Sequence, residues 1–245
     1  MNGLRASNFK RIHLGLLLDL LLMFLVPAVL IALLALIARQ VAASGMNDAT
    51  VETLLRRPTL AVRALYSFLV LQYCAAGLCA LLTVSGIREL EAGSRCFGHA
   101  KRAFLGLTII EAVAMLTHIS DILLPGSERV RLLSVVFVAA ILLILLLRGI
   151  ALRALMLGCG EVLSSVGAQE QSVRHFALAR HITAAIALLF LFLLAALILA
   201  LMGIQPLPRL LLAGAALALV YYVAVFLLVV RSIREAADVI DAISE

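Results

Sequence analysis

The sequence predicts an all-α integral membrane protein, a bundle of six transmembrane helices with short cytoplasmic helical extensions. Three observations carry that prediction. Six long apolar runs divide the chain, at about residues 12–38, 60–84, 103–124, 130–147, 182–204 and 207–230. Each approaches or exceeds the roughly 20 residues that a helix needs to cross ~30 Å of hydrocarbon. Composition agrees: 64% of residues are hydrophobic and 14% charged, with a mean hydropathy of +1.16, too little polar sequence to cover a soluble core of this size. Lipid also offers no partners to backbone N–H and C=O groups, so runs of this length must satisfy them internally, as helices.

The elements follow in order. Arg5, Lys10 and Arg11 precede the first run. That run is far longer than the 7–15 apolar residues of a signal peptide, so it is expected to stay as an uncleaved span, kinked at Pro27. The loop after it contains Asn47-Asp48-Ala49-Thr50-Val51-Glu52 and then Pro58, which predicts a short helix at the outer interface. The polar segment 85–102 joins the second and third runs. Tight turns at Pro125-Gly126-Ser127 and Gln205-Pro206-Leu207-Pro208 link the third to the fourth and the fifth to the sixth. Two amphipathic extensions are expected. One is Leu152–Ser165; the other carries Ile233, Ala236, Ala237, Ile240 and Ile243 at helical spacing. The hydrophilic segments are all short, so residues 1–245 read as one polytopic membrane domain.

Lys and Arg in short loops set orientation. Of the 20 in this chain, seven (Arg39, Arg56, Arg57, Arg63, Arg129, Arg131, Arg209) fall on one side, and the other thirteen, Arg148 among them, on the opposite side. That bias predicts both termini in the cytoplasm. Short loops and the lack of N-x-[ST] sequons place the chain in a bacterial cytoplasmic membrane. The net charge of +6 comes from residues at the ends of apolar runs, where they anchor helices, so nucleic acid is not an expected partner. The four cysteines contain no C-x-x-C pair and read as small buried hydrophobes. No cofactor or metal is expected.

A weak internal repeat is present. Phe97-Gly98-His99-Ala100-Lys101-Arg102 enters the third run and Phe176-Ala177-Leu178-Ala179-Arg180-His181 the fifth. Gly86-Ile87-Arg88-Glu89 leaves the second run and Ser232-Ile233-Arg234-Glu235 the sixth. Two explanations stand: duplication of a two-span unit as parallel repeats, or the shared habit of helices that enter a membrane from its basic side.

Ionisable groups inside a span cost about 2.5–3.5 kcal/mol each on insertion scales and therefore face a bundle interior or water. The third run holds the densest set: Thr108, Glu111, Met115, His118 and Asp121 on one broad face. Glu111 lies roughly 12 Å from the cytoplasmic end at 1.5 Å per residue. Asp19 in the first run lies at a similar depth, so the two carboxyls could share a proton or a cation if their helices touch. Asp19, Glu111 and His118 are thus the candidate polar path or substrate contacts. Arg63 and Asp121, level with each other near the outer side, are a candidate ion pair. His118 has no second ligand at the usual helical spacing, so it is no metal site.

No motif names a reaction, and no nucleophile can be paired with a base, so an enzyme is not expected. Two functions compete. A small transporter or channel-like protein would use the buried carboxylates of the first and third spans. An accessory or scaffold subunit would instead hold a protein partner through the cytoplasmic helices. The two differ in what the bundle centre should contain: a lined cavity in the first case, a fully paired apolar core in the second. Beyond the lipid bilayer itself, the sequence names no partner and no oligomeric state.

Overall fold

A computed structural model of the chain describes residues 6–43, 60–123, 129–202 and 209–244. Six helices account for nearly all of them: α1 (Ala6–Ala43), α2 (Leu60–Leu90), α3 (Arg95–Leu123), α4 (Arg129–Ser165), α5 (Gln169–Leu201) and α6 (Arg209–Ser244). No strand occurs among the described residues. Five helices, α1, α2, α4, α5 and α6, contain described stretches long and apolar enough to cross a membrane. The segment 47–58 and the turns at 125–127 and 205–208 lie outside the described residues.

Two helix junctions show how the sequence makes tight reversals. Ser94 caps α3: its hydroxyl oxygen accepts from the backbone N–H of Cys96 at 3.0 Å, satisfying a donor that the first helical turn leaves over. At the other junction α4 ends in a Schellman arrangement. Ala168 N–H donates to Leu163 O at 2.9 Å and Gly167 N–H to Ser164 O at 3.2 Å. Gly167 takes φ +84°, a conformation that glycine adopts without a Cβ penalty. Both turns are only three or four residues long, so the helices they join run antiparallel.

Each helix packs on its neighbours in chain order, and α6 returns to pack on α1, closing a ring; α4 also reaches α6 across it. Lys10 on α1 and Asp241 on α6 form an ion pair at 2.6 Å, so the beginning of the first helix and the end of the last lie at the same end of the bundle. The amphipathic C-terminal stretch is part of this ring. Ile233, Ala236, Ala237 and Ile240 are all buried, so α6 spends its apolar face on its own bundle.

The core is concentrated toward that same end. Phe9, Ile12, Leu16, Ile87, Phe97, Leu152, Leu155, Met156, Leu163 and Phe226 have almost no solvent exposure. Farther along the helices, apolar side chains such as Phe24, Ile31, Leu71, Leu116, Ile198 and Leu217 are exposed, as lipid-facing residues are. α1 alone has 38 residues, about 57 Å of helix. That exceeds the hydrocarbon thickness of ~30 Å, so α1 is longer than a crossing alone requires.

The backbones of α1 and α2 approach closely. A Cβ at Gly86 would lie 2.6 Å from Asn8 O and 3.1 Å from Ile12 N, both backbone atoms that cannot swing aside. Gly15 faces α2 one layer deeper in the same way, against Thr83 and the Cys79 carbonyl. Gly86→Leu should therefore push α1 off α2 and destabilise the bundle by about 1–3 kcal/mol, the usual cost of overpacking. Thermal unfolding of the purified variant in detergent reads this as a lowered midpoint, and an unchanged midpoint would show that the two backbones are not in contact.

Candidate functional site

Asp19, Glu111 and Arg148 meet in one layer of the ring, and the helical spacing of their neighbours explains why. Asp19 lies beside the buried Leu16 and Leu20, Glu111 between Leu107 and Ala114, and Arg148 ahead of Ala151 and Leu152. Each occupies a place in its helix's buried stripe, at three or four residues from apolar positions on the same face.

Arg148 Nη2 pairs with Asp19 Oδ1. The side chains are 21% and 12% exposed, and α1 and α4 are opposite members of the ring. The pair is therefore a strut across the bundle, not a contact between neighbours. Phe226 of α6 lies under the guanidinium, 5.8 Å from charge to ring centroid, a cation–π distance. Tyr222 stacks on Phe226 with centroids 6.2 Å apart and rings nearly parallel, and its buried hydroxyl is close enough to interact with Arg148.

This corrects one expectation. Arg148 directly follows an apolar run, and the sequence places it among the cytoplasmic anchors. In the structure α4 continues without a break through Ala151, Leu152, Leu155, Met156 and Cys159, all buried, and Arg148 points inward. The available signal was the apolar sequence after Arg148, which keeps helical spacing. A basic residue inside such a stretch is more than an end marker.

The strut borders a cavity of about 10 Å³ lined by Asp19, Glu111 and Arg148 with Cys79, Thr83 and Phe104 among others. That is at the lower limit for holding one water molecule. Thr83 is buried and donates its hydroxyl proton to Cys79 O at 3.0 Å, so its oxygen keeps lone pairs to accept with. Glu111 is 6% exposed, and its Oε2 has no hydrogen-bond partner among the described residues. On α2 it faces Gly77, where a Cβ would come to 3.9 Å from Oε2. Tyr73, also buried, lies near enough to interact with Glu111.

The third-run face expected from sequence does turn toward α2. Glu111 and Thr108 approach Gly77, and Met115 Sδ lies 3.2 Å from Cys74 Sγ. Asp19 and Glu111, proposed as partners in depth, line the same cavity. His118, Asp121 and Arg63 belong to helices α3 and α2, but their side chains lie outside the described residues, and so do the relay through His118 and the Arg63–Asp121 pair.

Polar contacts outside this layer tie helices together near the termini end. Ser94 Oγ donates to Glu161 Oε2, linking the start of α3 to α4. Between α5 and α6, His175 Nδ1 lies 2.8 Å from Gln171 O and Nε2 lies 2.7 Å from Ser232 Oγ. A carbonyl can only accept, so Nδ1 carries the proton, and neutral Nε2 then accepts from the serine. His175 and Ser232 are both buried, and the pair fastens two helices. No group of three or more His, Cys, Asp or Glu able to hold a metal ion occurs among the described residues. No family model, curated protein or solved structure matches the chain.

Removing one partner of a buried ion pair leaves an uncompensated charge, whereas replacing both with apolar groups is often neutral. Arg148→Met should therefore cost about 3–5 kcal/mol of stability, or force Asp19 to take up a proton, while Asp19→Leu combined with Arg148→Met recovers most of the loss. Unfolding midpoints of the two single variants and the double variant in detergent test this. Additive losses would show that the two side chains do not act as a pair.

Proposed function

We propose that the chain is a small transporter of the cytoplasmic membrane that exchanges protons at Glu111. It crosses the bilayer six times, with both termini in the cytoplasm. The observation that supports this reading is the charge balance of the central layer. Two carboxyls and one guanidinium share it, the guanidinium is taken by Asp19, and the buried Oε2 of Glu111 is left without a partner. A lone carboxylate in a low-dielectric centre is costly, so Glu111 must acquire a positive partner when it is charged. The proton is the simplest one. Buried, uncompensated carboxyls of this kind mark ion and proton pathways in membranes.

The six-span topology draws on α3 as the remaining member of a closed ring. At 29 residues, about 44 Å, it is long enough to cross. With Arg148 inside the bundle, the remaining bias of basic residues, twelve to seven, supports cytoplasmic termini. A duplicated two-span unit draws support from matched burial: Ala100 and Ala179 are both buried, as are Ile87 and Ile233.

The alternative is an accessory subunit that holds a protein partner through its cytoplasmic helices. It would have to use the polar face of α6, with Arg234 and Asp238, because the apolar face is packed on the bundle.

Cys79 lines the cavity and serves as a native reporter. With Cys74, Cys96 and Cys159 replaced by Ala, a membrane-impermeant thiol reagent should label Cys79 slowly and from one side in native membranes. The rate should be that at which the bundle opens, since the cavity as it stands admits nothing larger than a water molecule. Protection from both sides would favour the accessory bundle. Infrared difference spectra between acid and alkaline buffer should show a protonated-carboxyl band that disappears in Glu111→Gln and remains in the Asp19→Leu, Arg148→Met double variant, which frees no guanidinium to pair with Glu111. If that band is missing from the wild type, Glu111 is not the exchanging group.

A further inference from the structure

We propose that the cavity beside the Asp19–Arg148 strut binds one dehydrated alkali cation of sodium size, in competition with the proton on Glu111. This deepens the transport reading above and rests on it. Three observations converge on the ligand.

Charge comes first. With Glu111 ionised and Asp19 neutralised by Arg148, the layer carries one uncompensated negative charge. A single monovalent cation balances it, as a single proton does. A divalent ion would overshoot, and calcium would also need six to eight oxygen ligands. Arg148 cannot fill the role by contact, because no hydrogen bond joins it to Glu111 among the described residues and its charge is already met by Asp19 and the Phe226 ring.

Size comes second. A cavity of about 10 Å³ takes a particle no larger than a water molecule. That admits a bare sodium or lithium ion and excludes organic solutes and substituted ammonium ions.

Donor chemistry is the third. Glu111 Oε2 is buried and without a partner among the described residues. Thr83 keeps lone pairs after donating to the Cys79 carbonyl. The Asp19 carboxylate lines the same cavity. These are hard oxygen donors, which suit alkali and alkaline-earth cations and not transition metals. The other titratable and charged groups that face Glu111 from the helices around it are Tyr73 and Cys79 of α2, Arg148 of α4 and Asp19 of α1. None of these besides the two carboxyls offers a negative charge at neutral pH.

The test is thermal unfolding of the purified full chain in detergent, in sodium, lithium, potassium or choline chloride at matched ionic strength and across a pH series. Sodium should raise the midpoint above choline in alkaline buffer, and the gap should close as the pH falls and protons displace the ion. Glu111→Gln should lose the sodium-dependent shift. Thr83→Val, which keeps the side-chain shape, should weaken it while leaving the Glu111 carboxyl band in place, so the inference stays testable if the glutamine variant folds poorly. Equal midpoints in sodium and choline, with the Glu111 band present, would overturn the cation site and leave proton exchange standing. A sodium shift that persists in Glu111→Gln would also overturn it, by placing the ion elsewhere. Loss of the carboxyl band from the wild type would instead remove the transport reading beneath it.

Discussion

The Asp19–Arg148 ion pair is the constraint on which the arrangement of the bundle turns. In water either residue could sit on a surface. In a bilayer each costs a few kcal/mol unless it is neutralised, and neither neighbouring helix of α1 supplies a described counter-charge at that level. The opposite member of the ring does. Meeting across the centre sets the register of α4 against α1 and draws Phe226 and Tyr222 of α6 into the same layer. The strut also determines what is left over. With one guanidinium committed to one carboxylate, Glu111 shares the cavity with Arg148 but has no ion pair of its own among the described residues.

Around that layer the two ends of the bundle are built differently. The termini end is closely packed. Two glycines let the α1 and α2 backbones touch, and large side chains such as Phe9, Phe97 and Met156 are fully enclosed. Hydrogen bonds of Ser94 to Glu161 and Ser232 with His175 fasten adjoining helices there. Surface pairs such as Arg174–Glu170 and Arg231–Glu235 lie within single helices and add little in high dielectric. Farther from the termini the described apolar side chains are largely exposed, as a lipid-facing surface requires.

The cavity is small, and that bears on how such a centre could work. A transport route open to a solute needs far more space than one water molecule occupies. In this structure the carboxyls lie between helices beside a space of about 10 Å³, enough for a particle no larger than a water molecule. Glu111 and Asp19 share the cavity with Thr83 and Cys79, groups without a net charge of their own, so the electrostatics of the layer depend on three residues from three helices.

Much of this was legible in the sequence, for a definite physical reason. Lipid forces every backbone group to be satisfied locally, so apolar length alone determined that residues 12–38 or 182–201 are helical, and short polar joints determined that neighbours run antiparallel. The cost of burying a carboxyl likewise singled out Asp19 and Glu111 before any contact was known. Tertiary structure decided what local pattern does not encode. It closed the ring with α6 against α1. It turned the C-terminal amphipathic face inward. It also took Arg148, which by position looked like an interfacial anchor, into the centre as the partner of Asp19. Helical periodicity tells which face of a helix is apolar, but whether a charge at the edge of that face snorkels to water or pairs across a bundle depends on which helix stands opposite, and that is a property of the packed ring.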